Sequence, residues 1–196
     1  MTVRPAPDRP AVGGPARLLT GQTVAVVPAT PVDLDDVRAF YARLGDSSTR
    51  FRFFGARRHL PDAELRAVVG AGSGHVTLLA RTGDELIGIG EYIVGTDPTE
   101  AEVAFAVADD HHHEGVATLL LERLAVIAHD RRLGRFTATV LADNRDMQLV
   151  FATVGLPVHS RFADGVLEVV LELSSLTSLS AAARARVSHA LAARPG

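Results

Sequence analysis

The residues best placed to do chemistry lie at positions 107–118, which read V-A-D-D-H-H-H-E-G-V-A-T. An apolar run, residues 103–107, precedes them, and a long helical pattern over 119–133 follows. This is the outline of a strand, a turn and a helix. The first N–H groups of a helix have no partner inside it, and the helix dipole adds partial positive charge there. Such a turn is an anion site, most naturally for phosphate. Gly115 lets a ligand approach the backbone because no Cβ intervenes, and Ala117 is the next smallest residue. The triplet His111-His112-His113 raises a metal reading. Adjacent residues on a turn point in different directions, whereas zinc needs three or four converging ligands. The expectation is therefore no metal.

The elements that must hold this turn follow from periodicity. Residues 1–21 are rich in Pro and Gly, with no apolar period, and read as a flexible leader. Residues 23–27 are β-branched and predict a first strand. Leu34, Val37, Phe40, Tyr41 and Leu44 fall at helical spacing, and Gly45 ends that helix. Residues 47–54, S-S-T-R-F-R-F-F, read first as a hydrophobic plug pinned into the core, and alternatively as a lid over a groove. Pro61-Asp62 opens a helix that runs to about Val69. Three antiparallel strands then fit 75–81, 86–94 and 100–107, joined by short turns. Gly88 and Gly90 inside the second mark a bulge or a close backbone approach. After the central turn and its helix, 135–141 predicts a strand parallel to 100–107. A helix over 145–154, strands near 157–162 and 166–173, and an Ala/Arg-rich helix over 181–193 complete the chain.

Composition limits the partners. The 196 residues carry 47% hydrophobic and 22% charged side chains, which suits one globular domain with tails. A net charge of −3 gives no electrostatic case for nucleic acid or a membrane surface. There is no cysteine, so disulfides, thiolate ligands and a cysteine nucleophile are excluded. No apolar run approaches the ~20 residues needed to span a bilayer, and the N-terminus lacks the apolar core of a secretory signal. The reading is cytoplasmic.

In this order the elements resemble the GNAT acetyltransferase fold over residues 23–173. The resemblance implies an α/β (α+β) architecture, a mixed sheet of about six to seven strands with about four helices. It divides the chain into a leader at 1–21, an acyltransferase domain at 22–176 and a tail at 177–196. The turn resembles that family's acyl-CoA motif, Arg/Gln-x-x-Gly-x-Gly/Ala, with His112, His113, Glu114, Gly115, Val116 and Ala117 in its positions. Asn144 is followed eleven residues later by Gly155, the family's spacing, with Leu156 where Phe is usual. Residues 50–65 and 101–107 are similar to the bacterial Pat-type protein lysine acetyltransferases, whose GNAT domain is often fused to a CoA-ligase-like domain. A stand-alone relative and a domain cut from such a fusion both fit.

The resemblance implies acetyl-CoA as cosubstrate and a protein lysine, for example on an acyl-CoA synthetase, as acceptor. Residues 112–118, including Thr118, would hold the diphosphate. Phe105, Ala106 and Val107 would hold pantetheine by strand-like hydrogen bonds, with Asn144 and Phe151 beside it. Alternation puts Val103, Phe105 and Val107 on one face and Glu102, Ala104 and Ala106 on the other. The alanines leave room beside Glu102, and the Pat-type base is a similar glutamate. A Glu near pKa 4.3 must deprotonate a Lys near 10.4, through burial that raises it or through a water relay. Glu91 and Glu100 are lesser candidates. Three departures bear on activity: His112 for Arg or Gln, Glu114 beside a polyanion, and Phe151 where many relatives place the tyrosine that protonates the thiolate. At ~4 Å the Glu114 repulsion would be about 4 kcal/mol at an effective dielectric near 20. These departures leave open a weak or inactive acyl-CoA-binding module, and a small-amine acetyltransferase is a third possibility.

Overall fold

The computed structural model describes residues 14–54, 60–70, 72 and 74–173. Eight strands form one mixed sheet in the order β1-β2-β3-β4-β5-β6-β8-β7. The strands are β1 (Gly14–Arg17), β2 (Thr23–Pro28), β3 (His75–Thr82), β4 (Glu85–Val94), β5 (Glu100–Val107), β6 (Arg135–Leu141), β7 (Val158–Ala163) and β8 (Val166–Glu172). Five helices flank them: α1 (Leu34–Arg43), α2 (Asp46–Phe53), α3 (Asp62–Val69), α4 (Val116–Asp130) and α5 (Arg145–Thr153). The mixed α/β class is as the sequence predicts, with one strand more than the upper expectation. The Ala/Arg-rich stretch at 181–193 lies outside the described residues.

Two apolar clusters sandwich the sheet. One joins α4 to Val24, Val26, Leu78, Tyr92, Val103, Phe136 and Leu171. The other packs Val37, Phe40, Tyr41, Leu65 and Val69 of α1 and α3 on Leu79, Ile89 and Ala106. Alternation along β5 sends Val103 to the first and Ala106 to the second, as its pleat requires. Gly88 and Gly90 let α4 lie directly on β4. A Cβ on Gly88 would stand 2.7 Å from Val116 Cγ1, and one on Gly90 would stand 3.0 Å from Leu120 Cβ. The close approach read from those glycines is therefore real, and it fixes the start of α4 over the sheet.

Gly14–Arg17 differs from the leader reading of 1–21. It pairs antiparallel with β2, from Gly14↔Val26 to Arg17↔Thr23. Ala16 and Leu18 are buried, and this short alternation anchors the segment although it is too brief to stand out as a period. Pro15 is tolerated because β1 is the edge strand. The plug reading of 47–54 holds for one of its three phenylalanines, Phe53, which packs on Tyr41 and the second cluster. Thr49 is the buried residue of α2, and Phe54 is exposed. Two apolar rings of the helix, Phe51 and Phe53, are half-buried along its sides.

β5 and β6 form the one parallel pair among the described strands, and it is short. Its partners are Glu100↔Arg135, Ala101↔Phe136 and Glu102↔Thr137. β5 continues to Val107 and stays paired with β4 on its other edge throughout. From Val103 onward the β6-facing edge has no strand partner among the described residues, so the sheet opens into a wedge.

Candidate active site

The wedge leads into a cleft of about 540 Å³ bounded by β5, the turn before α4, α5, α2 and the β1–β2 connection. That volume is in the range of small-molecule and cofactor sites. Phe105, Ala106 and Val107 line it from the strand, and His111, His112, His113, Gly115, Ala117 and Thr118 line it from the turn and helix start. Asn144, Met147 and Val150 line it from α5. A second pocket of about 90 Å³ shares Phe51, Phe105, Asn144 and Met147 with the first and adds Glu102, Phe54, Ala104 and Phe151. The sequence-derived residues therefore converge on two adjoining spaces, with two exceptions. Val116 is buried under β4 at Gly88, and the Glu114 side chain does not line the cleft.

The turn is shaped as an anion cradle. His113 and Gly115 take positive φ values of 62° and 91°. The first bond of α4 runs from Leu119 N–H to the Gly115 carbonyl, at 3.0 Å. Among the described residues, no hydrogen-bond acceptor meets the N–H groups of residues 113–118. Such orphan donors at a helix start suit a phosphate. Glu114 is accounted for, since its carboxylate pairs with His111 Nδ1 at 2.9 Å. The repulsion expected of it is thus turned away from the cleft and partly offset.

His112 does a structural job that an Arg or Gln would do differently. Its Nε2 stands 3.1 Å from the Val107 carbonyl and 3.5 Å from Ser48 Oγ. Ser48 donates to Asp109 Oδ1 at 2.6 Å, and the Gly45 N–H donates to Asp109 Oδ2 at 2.7 Å. Burial raises the Asp109 carboxyl, but those two hydrogen bonds outweigh it and hold it below the usual carboxylate range. These contacts fix the N-terminus of α2 to the turn. At its other end, α2 pairs Arg50 with Asp143 just before α5. The helix thus straps across the open wedge, and its Phe51 lines both pockets. The lid reading of this stretch is the one the geometry favours.

Glu102 is exposed and makes no hydrogen bond or ion pair among the described residues. Of the two routes considered for it, its exposure fits the water relay. The other two candidate bases are engaged. Glu100 accepts from Arg135 Nε at 2.5 Å. Glu91 is buried, pairing with Arg52 and accepting from His75 Nε2 at 2.7 Å. Burial raises the Glu91 carboxyl, yet the His75 hydrogen bond and the Arg52 charge more than offset this and leave it lowered. Tyr41 is buried beside them, and burial pushes its phenol up to about 12 against the opposing charge of Arg52. The Arg52 charge also reaches Glu102.

Phe151 is buried, its ring centroid 6.4 Å from that of Phe105 in an edge contact. Asn144 caps α5, its Oδ1 accepting from the Met147 N–H at 3.1 Å. Sequence reading missed Arg17, Leu18 and Leu19 of the β1–β2 hairpin, and Ser48 of α2, all of which line the cleft. His111 brings a ligand atom within 4.8 Å of ligand atoms on Glu85 and Asp110. Both carboxylates are exposed, Glu85 pairs with Arg43 at 3.3 Å, and His111 Nδ1 is held by Glu114.

The sequence model of the acetyltransferase (GNAT) family matches residues 35–156, more than half of the chain. The chain belongs to the GNAT acetyltransferase family. This acetyltransferase is 32% identical to the GNAT domain of S. lividans PAT, with a TM-score of 0.77 over 84% of this chain and 99% of that one. It is 39% identical over 61 residues to the acetyltransferase Pat of Mycolicibacterium smegmatis, a match spanning 31% of this chain and 18% of that protein. Its fold is also that of Mycobacterium smegmatis RimJ, solved in complex with CoA-disulfide, at TM-score 0.64 and 20% identity over 90% and 93% of the two chains. Among the described residues no helix is long and apolar enough to cross a membrane.

Proposed function

We propose that this GNAT acetyltransferase moves an acetyl group from acetyl-CoA to an amine, with a protein lysine side chain as acceptor and Glu102 as the proton acceptor. The observation that carries the reading is the unpaired β5 edge. It starts one residue after Glu102 and runs to the phosphate-binding turn. A pantetheine arm laid along that edge completes the hydrogen bonds that β6 does not make. The turn's free N–H groups and Gly115 cradle the diphosphate, and the thioester then lies beside Glu102. When bound, the cosubstrate supplies the activated acetyl group. The residues of this chain orient it, and a β5 N–H at the wedge polarises the carbonyl. Because Glu102 is exposed, it takes the lysine proton through water.

The openness of the site favours a protein acceptor over a small amine. Glu102 pairs with Ile93 across β4, and Ile93 and Phe54 are both exposed beside it. An open apolar rim suits a side chain presented on a surface, whereas a free small amine calls for enclosure. By analogy with the Pat relatives, an acyl-CoA synthetase is the first acceptor to try, and the cytoplasm is the compartment the reading implies. A second reading, a module that binds acyl-CoA without turnover, draws on Phe151. That buried ring cannot protonate a thiolate.

Mass spectrometry of an acyl-CoA synthetase incubated with this chain and acetyl-CoA separates the two. The expected result is a mass gain on a lysine of the synthetase. The chain itself contains no lysine, so a lysine-borne acetyl group must lie on the acceptor. CoA binding with no acetylation of any amine tried would favour the non-catalytic module.

A further inference from the structure

We infer that Arg17, on the edge strand β1, is a phosphate contact for the cosubstrate. This rests on the reading that the cleft takes an acyl-CoA, and it assigns part of that site to a strand outside the matched family segment. Of the described residues lining the cleft, Arg17 alone carries a permanent positive charge. The turn offers imidazoles where relatives carry a basic or amide side chain. The cleft also holds a negative charge, Asp146, 3.8 Å from His113 Nδ1. A polyanion therefore needs a cation from elsewhere on the wall.

Arg17 is free to supply it. It is exposed and makes no ion pair or hydrogen bond through its side chain among the described residues. Arg38, Arg43, Arg50, Arg52, Arg81 and Arg135 all pair with carboxylates. Its position is also fixed against the turn. Arg17 is the last residue of β1, paired with Thr23. Two residues on, the Leu19 N–H donates to the Glu114 carbonyl at 3.2 Å. The Leu19 side chain covers Gly115 so closely that a Cβ there would lie 3.3 Å from Leu19 Cγ. The β1–β2 hairpin and the anion cradle are thus one unit. A guanidinium carried on it can fork onto phosphate oxygens with little loss of freedom.

The phosphate is either the diphosphate or the ribose 3′-phosphate of CoA, and three probes separate them. Calorimetric titrations would use CoA, dephospho-CoA and pantetheine against the unaltered chain, Arg17→Gln and Arg17→Lys. Arg17→Gln is expected to weaken CoA about tenfold, the scale of one charge-assisted contact. Pantetheine affinity should stay unchanged, and Arg17→Lys should restore part of the loss. If the change weakens dephospho-CoA as much as CoA, the contact is the diphosphate. If it leaves dephospho-CoA alone, the contact is the 3′-phosphate. Equal CoA affinity in the unaltered chain and Arg17→Gln overturns the assignment alone. An equal loss for pantetheine overturns it too, because the effect would then be structural. No CoA binding by the unaltered chain overturns the functional reading and this assignment with it.

Discussion

Glu102 of β5 faces Thr137 of β6 in the last parallel pair before the two strands part. The carboxylate therefore stands at the apex of the wedge, at the end of the free β5 edge. A group at that point can accept a proton from an amine approaching on the α2 face. Glu102→Gln keeps size and polarity and removes the base. Transfer is expected to fall by about 10²-fold or more. CoA affinity, measured by titration, should be unchanged because the diphosphate cradle lies at the other end of the edge. Full activity in Glu102→Gln would end the base assignment.

Helix α4 carries the cradle, and its seat on β4 depends on Gly88. Gly88→Ala places a methyl 2.7 Å from Val116 Cγ1. Val116 is β-branched and buried, so it cannot turn away cheaply. The expected cost is about 1–3 kcal/mol of stability from overpacking. Val116→Ala in the same chain should recover part of it. Denaturant unfolding of the two single variants and the double variant checks the coupling.

The Glu91 cluster predicts an acid-sensitive fold. His75 and Arg52 hold the Glu91 carboxyl below its usual range despite burial. A lowered folded-state value means that the ionised carboxylate stabilises the fold. That contribution is complete above the unfolded value near pH 4.3 and is lost as pH falls through the folded one. Glu91→Gln leaves the half-buried Arg52 without its Glu91 charge partner and is expected to cost about 3 kcal/mol at neutral pH. Melting temperature followed from pH 7 into the acid range should drop less steeply in the variant, because this acid-driven loss is removed.

Asp109 fastens α2 to the turn through Ser48 and the Gly45 N–H. Asp109→Asn loses the charge assistance on both bonds. The expected outcome is faster hydrogen exchange in the amides of α2, with α4 unaffected. A raised KM for acetyl-CoA should accompany it, since Ser48 and Phe51 form part of the cleft wall. Unchanged exchange in α2 would show that the strap is held by its Phe51 and Phe53 contacts instead.

Most of the frame was legible because its signals are local. The turn at 112–118 declares itself by small residues before a helical period. The glycines of β4 foretold a close approach. What was missed depends on distant neighbours. β1 is four residues long, and its pairing with β2 shows only when Ala16 and Leu18 are seen in the core. The placing of β8 between β6 and β7 leaves no mark on the order of the elements. Three phenylalanines in 51–54 invited a core assignment. Of the three, Phe53 alone keeps it by packing on Tyr41, while Phe51 and Phe54 line the pockets. Glu114 looked hostile to a polyanion until His111 was found holding its carboxylate.

The most direct test of the central claim is a crystal structure of the chain grown with CoA. The diphosphate is predicted on the free N–H groups at the start of α4, with pantetheine along residues 103–107 and its sulfur beside Glu102. A CoA bound elsewhere, or a pantetheine arm running away from the β5 edge, would contradict it.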